Sequence, residues 1–402
     1  MMKRFIAVQI GARRNYAVPS ILEKAGLLEA LYTDLCANTG LGAAIDRFCP
    51  KPLRRGAISR LLNRRVPSNI QEKVHTFDEI TLRHIVRQKV AGDNSIKQHQ
   101  ALTLFNQEFA RSLISQGLDK ATHLFSMFGE GSDFIEFAKN QNIKIVTEIY
   151  LSPATHNIIQ NERKNFPELE PVLPHQIIQA DYISFRKLCR LTDVFIVPSR
   201  FVEKGLEEIG VDKSRCYTVP YAVGDSWLKL HNHPIQGRIL FVGTAELRKG
   251  IHVLGMAAQK LSYRKYEFRV AGGVSDVVRQ HQITQRLNFL GRVPRANIQQ
   301  EYARADIFVL PSLAEGSAEV TYEALAAGLP VITTEAAGSV VRDGIEGFII
   351  PERDAEALAN RIEELVENRQ LRDRMAAAAR ERAKDYTWDK YAERLLDVLQ
   401  DV

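Results

Sequence analysis

The chain of 402 residues is poor in cysteine, with Cys36, Cys49, Cys189 and Cys216 scattered along it. Their spacing fits no metal site, and a chain this long needs no disulfide staples, so reduced structural thiols are expected. Long apolar runs are also missing. The longest, "ALAAGLPVI", falls well short of the roughly 20 residues a spanning helix needs, and "MMKRFIAVQIGARRN" holds too short an apolar stretch for a secretory signal. The expectation is a cytoplasmic protein. Lys and Arg number 54 against 48 Asp and Glu, and the resulting +6 does not argue for nucleic acid. The first strand lacks G-x-G-x-x-G, which counts against a nicotinamide oxidoreductase. No internal repeat or low-complexity segment is present. What remains, 45% hydrophobic and 25% charged, is ordinary for a globular chain of two or more domains.

One stretch is locally unbalanced. Residues 51–65, "KPLRRGAISRLLNRR", carry six basic side chains and no acid. With Leu53, Ile58, Leu61 and Leu62 interleaved, they read either as a short basic amphipathic helix on the inner face of a membrane, giving peripheral contact, or as a solvated insertion. No aromatic residue interleaves the charges, so nucleic-acid binding is not expected.

Short apolar runs, "FIAVQIG", "THLFSM", "IKIVTEI" and "DVFIVPS", alternate with helical patterns. A second series follows: "GRILFVG", "YEFRVAGG", "LNFLG", "ADIFVLPS", "LPVITT" and "GFIIPE". This alternation predicts α/β architecture with two doubly wound, Rossmann-like parallel sheets. The expected divisions are an N-terminal domain over 1–222, a linker over 223–236 and a second domain over 237–385, with 386–402 as a C-terminal helix packing back on the first domain.

In open sheets of this kind, ligands bind beyond the carboxyl ends of strands, where loops lead into helix N-termini. Three loops there are rich in small residues: "FVGTAELRKG" with Gly243, Arg248 and Lys249; "VAGGVS" with Gly272 and Gly273; and the corner "LAEGSAEV" at Glu315. Small residues admit a ligand to the backbone, and helix N-termini attract phosphate, so with Arg248 and Lys249 a diphosphate site is expected. Glu315 and Glu323, eight positions apart, bracket the corner, and a helix is predicted from Val320 to Ala327, stopped by Gly328 and Pro330. Carboxylates accept hydrogen bonds from sugar hydroxyls, so the ligand implied is a nucleotide sugar.

The stretch "PSLAEGSAEVTYEALAAGLPVI" resembles the donor-site signature of the retaining glycosyltransferase family four, of GT-B fold. The similarity runs through "FLGRVPRANIQQEYARADIFVLPS" and "VRDGIEGFIIPERD" to "YTWDKYAERLL", clearly over about residues 180–400 and loosely before them. The resemblance implies a retaining transfer of a hexose-like sugar from a nucleotide-diphosphate sugar to a hydroxyl of a polysaccharide or lipid-linked glycan, without metal or cofactor. Glu315 would contact the donor sugar, the amides of Gly316, Ser317, Ala318 and Glu319 the sugar and phosphate, Glu323 the ribose and Lys249 the departing diphosphate. Gly11 would face the diphosphate across the cleft, and Gly272, Gly291, Arg292 and Val293 would frame the base. Where the family often has arginine, Thr244 stands, and Arg248 is the candidate replacement. In the first half His156 is the candidate near the reacting sugar, beside Glu148 and Tyr150, while Arg13, Arg14 and Tyr16 are directed towards an acceptor. The alternatives are a nucleotide-sugar isomerase on the same fold and a non-catalytic nucleotide- or glycan-binding subunit.

Overall fold

The computed structural model describes residues 3–50, 53–54, 56–128 and 130–402. The first sheet holds β1 (Phe5–Gln9), β2 (Leu28–Thr33), β3 (Val74–Thr76), β4 (His123–Met127), β5 (Lys144–Glu148), β6 (Val194–Val197) and β7 (Cys216–Thr218). The second holds β8 (Arg238–Val242), β9 (Glu267–Ala271), β10 (Leu287–Gly291), β11 (Ile307–Leu310), β12 (Val331–Thr333) and β13 (Gly347–Ile349). Six helices bear on the site: α1 (Ala17–Lys24), α2 (Thr155–Asn165), α3 (Ile251–Lys260), α4 (Arg295–Arg304), α5 (Glu319–Ala326) and α6 (Trp388–Asp401).

The sheet orders are β3-β2-β1-β4-β5-β6-β7 and β10-β9-β8-β11-β12-β13. Pairing at the reversals, β1 with β4 and β8 with β11, is parallel. The strands are short and apolar because helices cover both faces; β1, β4, β6 and β11 are buried at every position. The order therefore reverses once in each sheet, creating a crevice beyond the strand ends at each reversal.

Each strand expected from the sequence is present. Three more, β2, β3 and β7, were not anticipated. The segment "LEALYT" is made of good helix formers, yet it lies between β1 and β3 with five of its six residues buried, so pairing and burial override propensity. β3 and β7 are three-residue edge strands, too short to carry a period.

Helix α6 returns to the first domain. Lys3 donates to the Leu399 carbonyl at 3.0 Å and Lys144 to that of Val402 at 2.8 Å, while Tyr391, Leu395 and Leu399 are buried.

The basic stretch forms a helix of only seven residues, Gly56–Leu62. Its surroundings supply the acids it lacks: Arg54 pairs with Asp46 at 3.1 Å, Arg64 with Asp34 at 2.8 Å, and Arg65 with Asp46. Ile58, Leu61 and Leu62 are half-buried, while Leu53 is exposed. Lys51, Pro52 and Arg55 lie outside the described residues. No helix among the described residues is long and apolar enough to cross a membrane.

Candidate functional site

The reversal of the second sheet gathers two cations around one carboxylate. After β8 the chain turns at Gly243, where a Cβ would stand 2.8 Å from the Lys249 Cδ, so a side chain there would push the lysine off the strand end. The short turn Leu247–Lys249 then presents both cations. After β11 the corner brings Glu315 to meet them. Lys249 Nζ lies 2.5 Å from Glu315 Oε1, and Arg248 Nη1 lies 2.6 Å from Oε2. Glu246 holds the other side of Arg248, its Oε1 accepting from Nε at 3.0 Å. Burial works against the Arg248 charge, but Glu315 and Glu246 outweigh it and keep the guanidinium firmly protonated. Arg248 thus stands beside Lys249 on the same carboxylate.

Helix α5 begins at Glu319, one residue earlier than expected, and Gly328 ends it with φ 74°. Its entry leaves donors free. The Glu315 amide donates to Ala336 O at 2.8 Å and that of Ala318 to Ala337 O at 3.0 Å. The amides of Gly316, Ser317, Glu319 and Val320 have no acceptor among the described residues. The expectation for Ala318 is therefore corrected: its amide is spent inside the domain. The Ser317 hydroxyl is likewise engaged, donating to Gly338 O at 2.7 Å and lying 2.8 Å from the Tyr322 hydroxyl. Four free amides at the positive end of a helix, beside the two cations, are a donor set of the kind that anions favour.

Glu323 lies one turn into α5 and accepts from the Tyr302 hydroxyl at 2.9 Å. Burial pushes its carboxyl up to about 7, with the charge of Glu319 adding to the shift. Both acids line a cavity of about 370 Å³ together with Arg14, Asn15, Arg295 and Trp388. Glu319 therefore faces the space between the domains. Gly272 packs its Cα against the Gly243 carbonyl, its amide donating to Gly291 O at 2.8 Å, so β8, β9 and β10 end in one glycine-lined floor. Arg292 is exposed beside Gly273 at its edge.

The facing crevice, at the β1/β4 reversal, is built differently. The Gly11 amide donates to Asp34 at 2.8 Å and the Ile10 amide to Glu130 at 2.6 Å. The space beside Gly11 is open and its amide is spent on Asp34, so Gly11 offers a ligand close approach rather than a hydrogen bond. Arg13 donates to the Tyr150 hydroxyl at 2.9 Å, lies over that ring at 4.3 Å and reaches Glu130 at 3.3 Å. Burial pushes the Glu130 carboxyl up to about 8, against the opposing charge of Arg13. Arg14 is buried, paired with Glu148 and lying over the Tyr221 ring at 4.3 Å. Tyr16 does not reach an acceptor, because its side chain is wholly enclosed in the first domain's core. His156, at the start of α2, is half-exposed and sits 3.7 Å from Asp181; it is not among the partners of Glu315 or Lys249.

The two crevices meet tightly. A Cβ on Gly316 would overlap the Tyr150 carbonyl oxygen, and Ser199 donates to Gly316 O at 2.5 Å. The glycine after Glu315 is thus required by the opposing domain as well as by any ligand.

Sequence reasoning missed Glu130, Asp34 and Tyr302. Glu130 carried a signal, since "FGEGS" follows β4 with the same flanking glycines that marked the other loops. Asp34 follows β2, which was itself not anticipated, and Tyr302 has no local signature.

Two parallel-sheet domains facing across a cleft, with cations and free amides at the second reversal, define a GT-B architecture. Residues 231–382 match the family described as glycosyl transferases group 1. Solved structures of the same fold include sucrose-phosphate synthase from Thermosynechococcus elongatus, with 18% identity, TM-score 0.62, and 99% of this chain and 98% of that one covered. Anabaena Alr3699/HepE in complex with UDP-glucose aligns at TM-score 0.64 and 15% identity, over 99% of this chain and 100% of that one. Among curated relatives, the phosphatidyl-myo-inositol mannosyltransferase of Mycolicibacterium smegmatis is 33% identical over 183 residues, 43% of this chain and 47% of its own length. Sulfoquinovosyl transferase SQD2 of Arabidopsis thaliana is 25% identical over 221 residues, 50% of this chain and 43% of its own. The matched region spans about half the length of these relatives or less.

Proposed function

We propose that the protein is a glycosyltransferase that takes a hexose-like sugar from a nucleotide-diphosphate sugar and places it, with retention, on a hydroxyl of a polysaccharide or lipid-linked glycan. The observation that carries this reading is the juxtaposition of Lys249 and Arg248 with Glu315 at the β8/β11 reversal, beside the free amides of Gly316, Ser317 and Glu319. Without ligand, Glu315 balances the two cations. A diphosphate entering the same place would take over that role, releasing the carboxylate to accept hydrogen bonds from the donor sugar's hydroxyls. In this reading Lys249, Arg248 and the α5 amides stabilise the negative charge that grows on the diphosphate as the bond to the sugar breaks, so no metal is invoked. Glu323 at the cavity between the domains suits the vicinal hydroxyls of a ribose. Attack from the face of departure needs no dedicated nucleophile, and the acceptor would approach past Arg13 and Tyr150. Support comes from the match of residues 231–382 and from Anabaena Alr3699/HepE, a neighbour of the same fold solved in complex with UDP and with UDP-glucose. Cytoplasmic placement, with peripheral membrane contact near residues 51–65, belongs to the same proposal.

The test is thermal stabilisation by UDP, GDP and ADP and their sugar conjugates, with Lys249→Ala alongside. A ligand at about a hundred times its dissociation constant stabilises by roughly 2.7 kcal/mol. One base standing out, with the shift lost in Lys249→Ala, supports the donor site; no shift with any of them removes it.

A further inference from the structure

The first domain holds the second through α2 and the segment after it, and the contacts fall next to the donor cations. Glu162 is 1% exposed, and both its oxygens are spent across the domain boundary. Oε1 lies 2.8 Å from His252 Nε2 on α3, and Oε2 accepts from Arg353 Nε at 2.6 Å. His252 is wholly buried, with the Phe166 ring 4.6 Å away. Further along, Glu170 accepts from the Leu247 amide at 2.6 Å, while Arg163 holds its other oxygen at 3.2 Å. Leu247 directly precedes Arg248 and Lys249. One turn back on α2, Ile159 is buried against Leu313 and Ala314, which directly precede Glu315. The two donor loops are also tied to each other, Leu313 N donating to Arg248 O at 2.8 Å.

A buried carboxylate is costly unless its partners are well placed, and Glu162 commits two of the second domain's basic side chains to a contact that touches no reacting group. We propose that α2 with residues 166–170 is a brace that fixes the donor loops, in which Glu170 is a positioning residue acting through the Leu247 amide on Arg248 and Lys249, and Glu162 holds the brace in place. Domain contact and donor-site geometry are then one event: separating α2 from α3 frees the loop that carries both cations. The ligand half of this inference rests on the diphosphate reading above; the structural half does not.

The test uses the full chain with Glu170→Ala, Glu170→Gln and Glu162→Gln. Amide hydrogen exchange over residues 247–250 is followed without ligand, and affinity is then measured for UDP, GDP and ADP. Glu170→Ala is expected to exchange faster at Leu247 and to bind the preferred nucleotide about tenfold more weakly, as loss of a charge-assisted hydrogen bond implies. Glu170→Gln keeps a carbonyl acceptor for Leu247 and should restore most of both, which a general loss of stability would not do. Glu162→Gln leaves the loop untouched and should still speed exchange there. If Glu170→Ala does not fold, the Glu162→Gln exchange decides the matter. Unchanged exchange in the folded variants overturns the brace, as does faster exchange with unchanged nucleotide affinity. If the wild-type protein binds none of the three nucleotides, the donor reading fails and exchange alone decides the brace.

Discussion

The two sheets reverse their order at β1/β4 and at β8/β11, and each reversal sets basic side chains against a glutamate. At β8/β11 two cations share Glu315, and four amides around the corner have no acceptor among the described residues. At β1/β4 one half-exposed arginine faces Glu130, and carboxylates cap both the Ile10 and Gly11 amides. The first arrangement has two cations balanced by the Glu315 and Glu246 carboxylates, together with unspent donors, which suits an anion that can displace Glu315. The second has spent its donors and keeps the carboxyl groups of Asp34 and Glu130 at the strand ends, which suits hydroxyl groups. Equal topology therefore does not mean equal ligands; the occupancy of the strand-end amides decides.

This contrast can be broken most directly at Lys249. Lys249→Ala should weaken nucleoside-diphosphate binding by about 1.5–3 kcal/mol, some 10- to 150-fold, whereas Arg13→Ala should change it less than about twofold, both by calorimetric titration. Equal losses would show that the two crevices act on the same group. Next in size is Gly316→Ala. Its Cβ would overlap the Tyr150 carbonyl, and overpacking of this kind costs about 1–3 kcal/mol in denaturant unfolding.

Two pH effects sharpen the contrast further. Glu323 ionises near 7, and only the ionised form accepts fully from ribose hydroxyls. Nucleotide affinity should rise between pH 6 and 8, and Glu323→Gln should flatten that rise by about a few fold. A pH-independent affinity in the wild-type protein would remove Glu323 from the ligand. Glu130, raised to about 8 in the fold, binds its proton more tightly there than in the unfolded chain. Its contribution to stability is full below the unfolded pKa of about 4.3 and is lost as pH rises through about 8. The melting temperature should fall over that window, and less in Glu130→Gln. The smallest effect is expected at Arg65, an exposed partner of Asp46; Arg65→Ala should move stability by less than about 1 kcal/mol.

Much of this was legible along the chain. Strand–turn–helix at 307–326 follows from an apolar run, a small-residue corner and an alanine-rich helix stopped by Gly328, and all of these signals are local. The glycines at 243, 272 and 316 stood out for the same reason. Local signals along the chain set the succession of strands in the second domain, four of the seven strands in the first and which loops stand at strand ends, because periodicity and turn chemistry act between near neighbours.

The partners were settled by three-dimensional packing alone. It gave Lys249 to Glu315 from 66 positions away and Arg248 to the same carboxylate, buried Tyr16, spent the Gly11 amide on Asp34 and neutralised Arg54, Arg64 and Arg65 with acids outside the basic stretch. These outcomes depend on which strand ends the parallel crossovers bring together. A charge's worth is set by its neighbours in space and by the water it has lost, and neither is written in the spacing of residues along the chain.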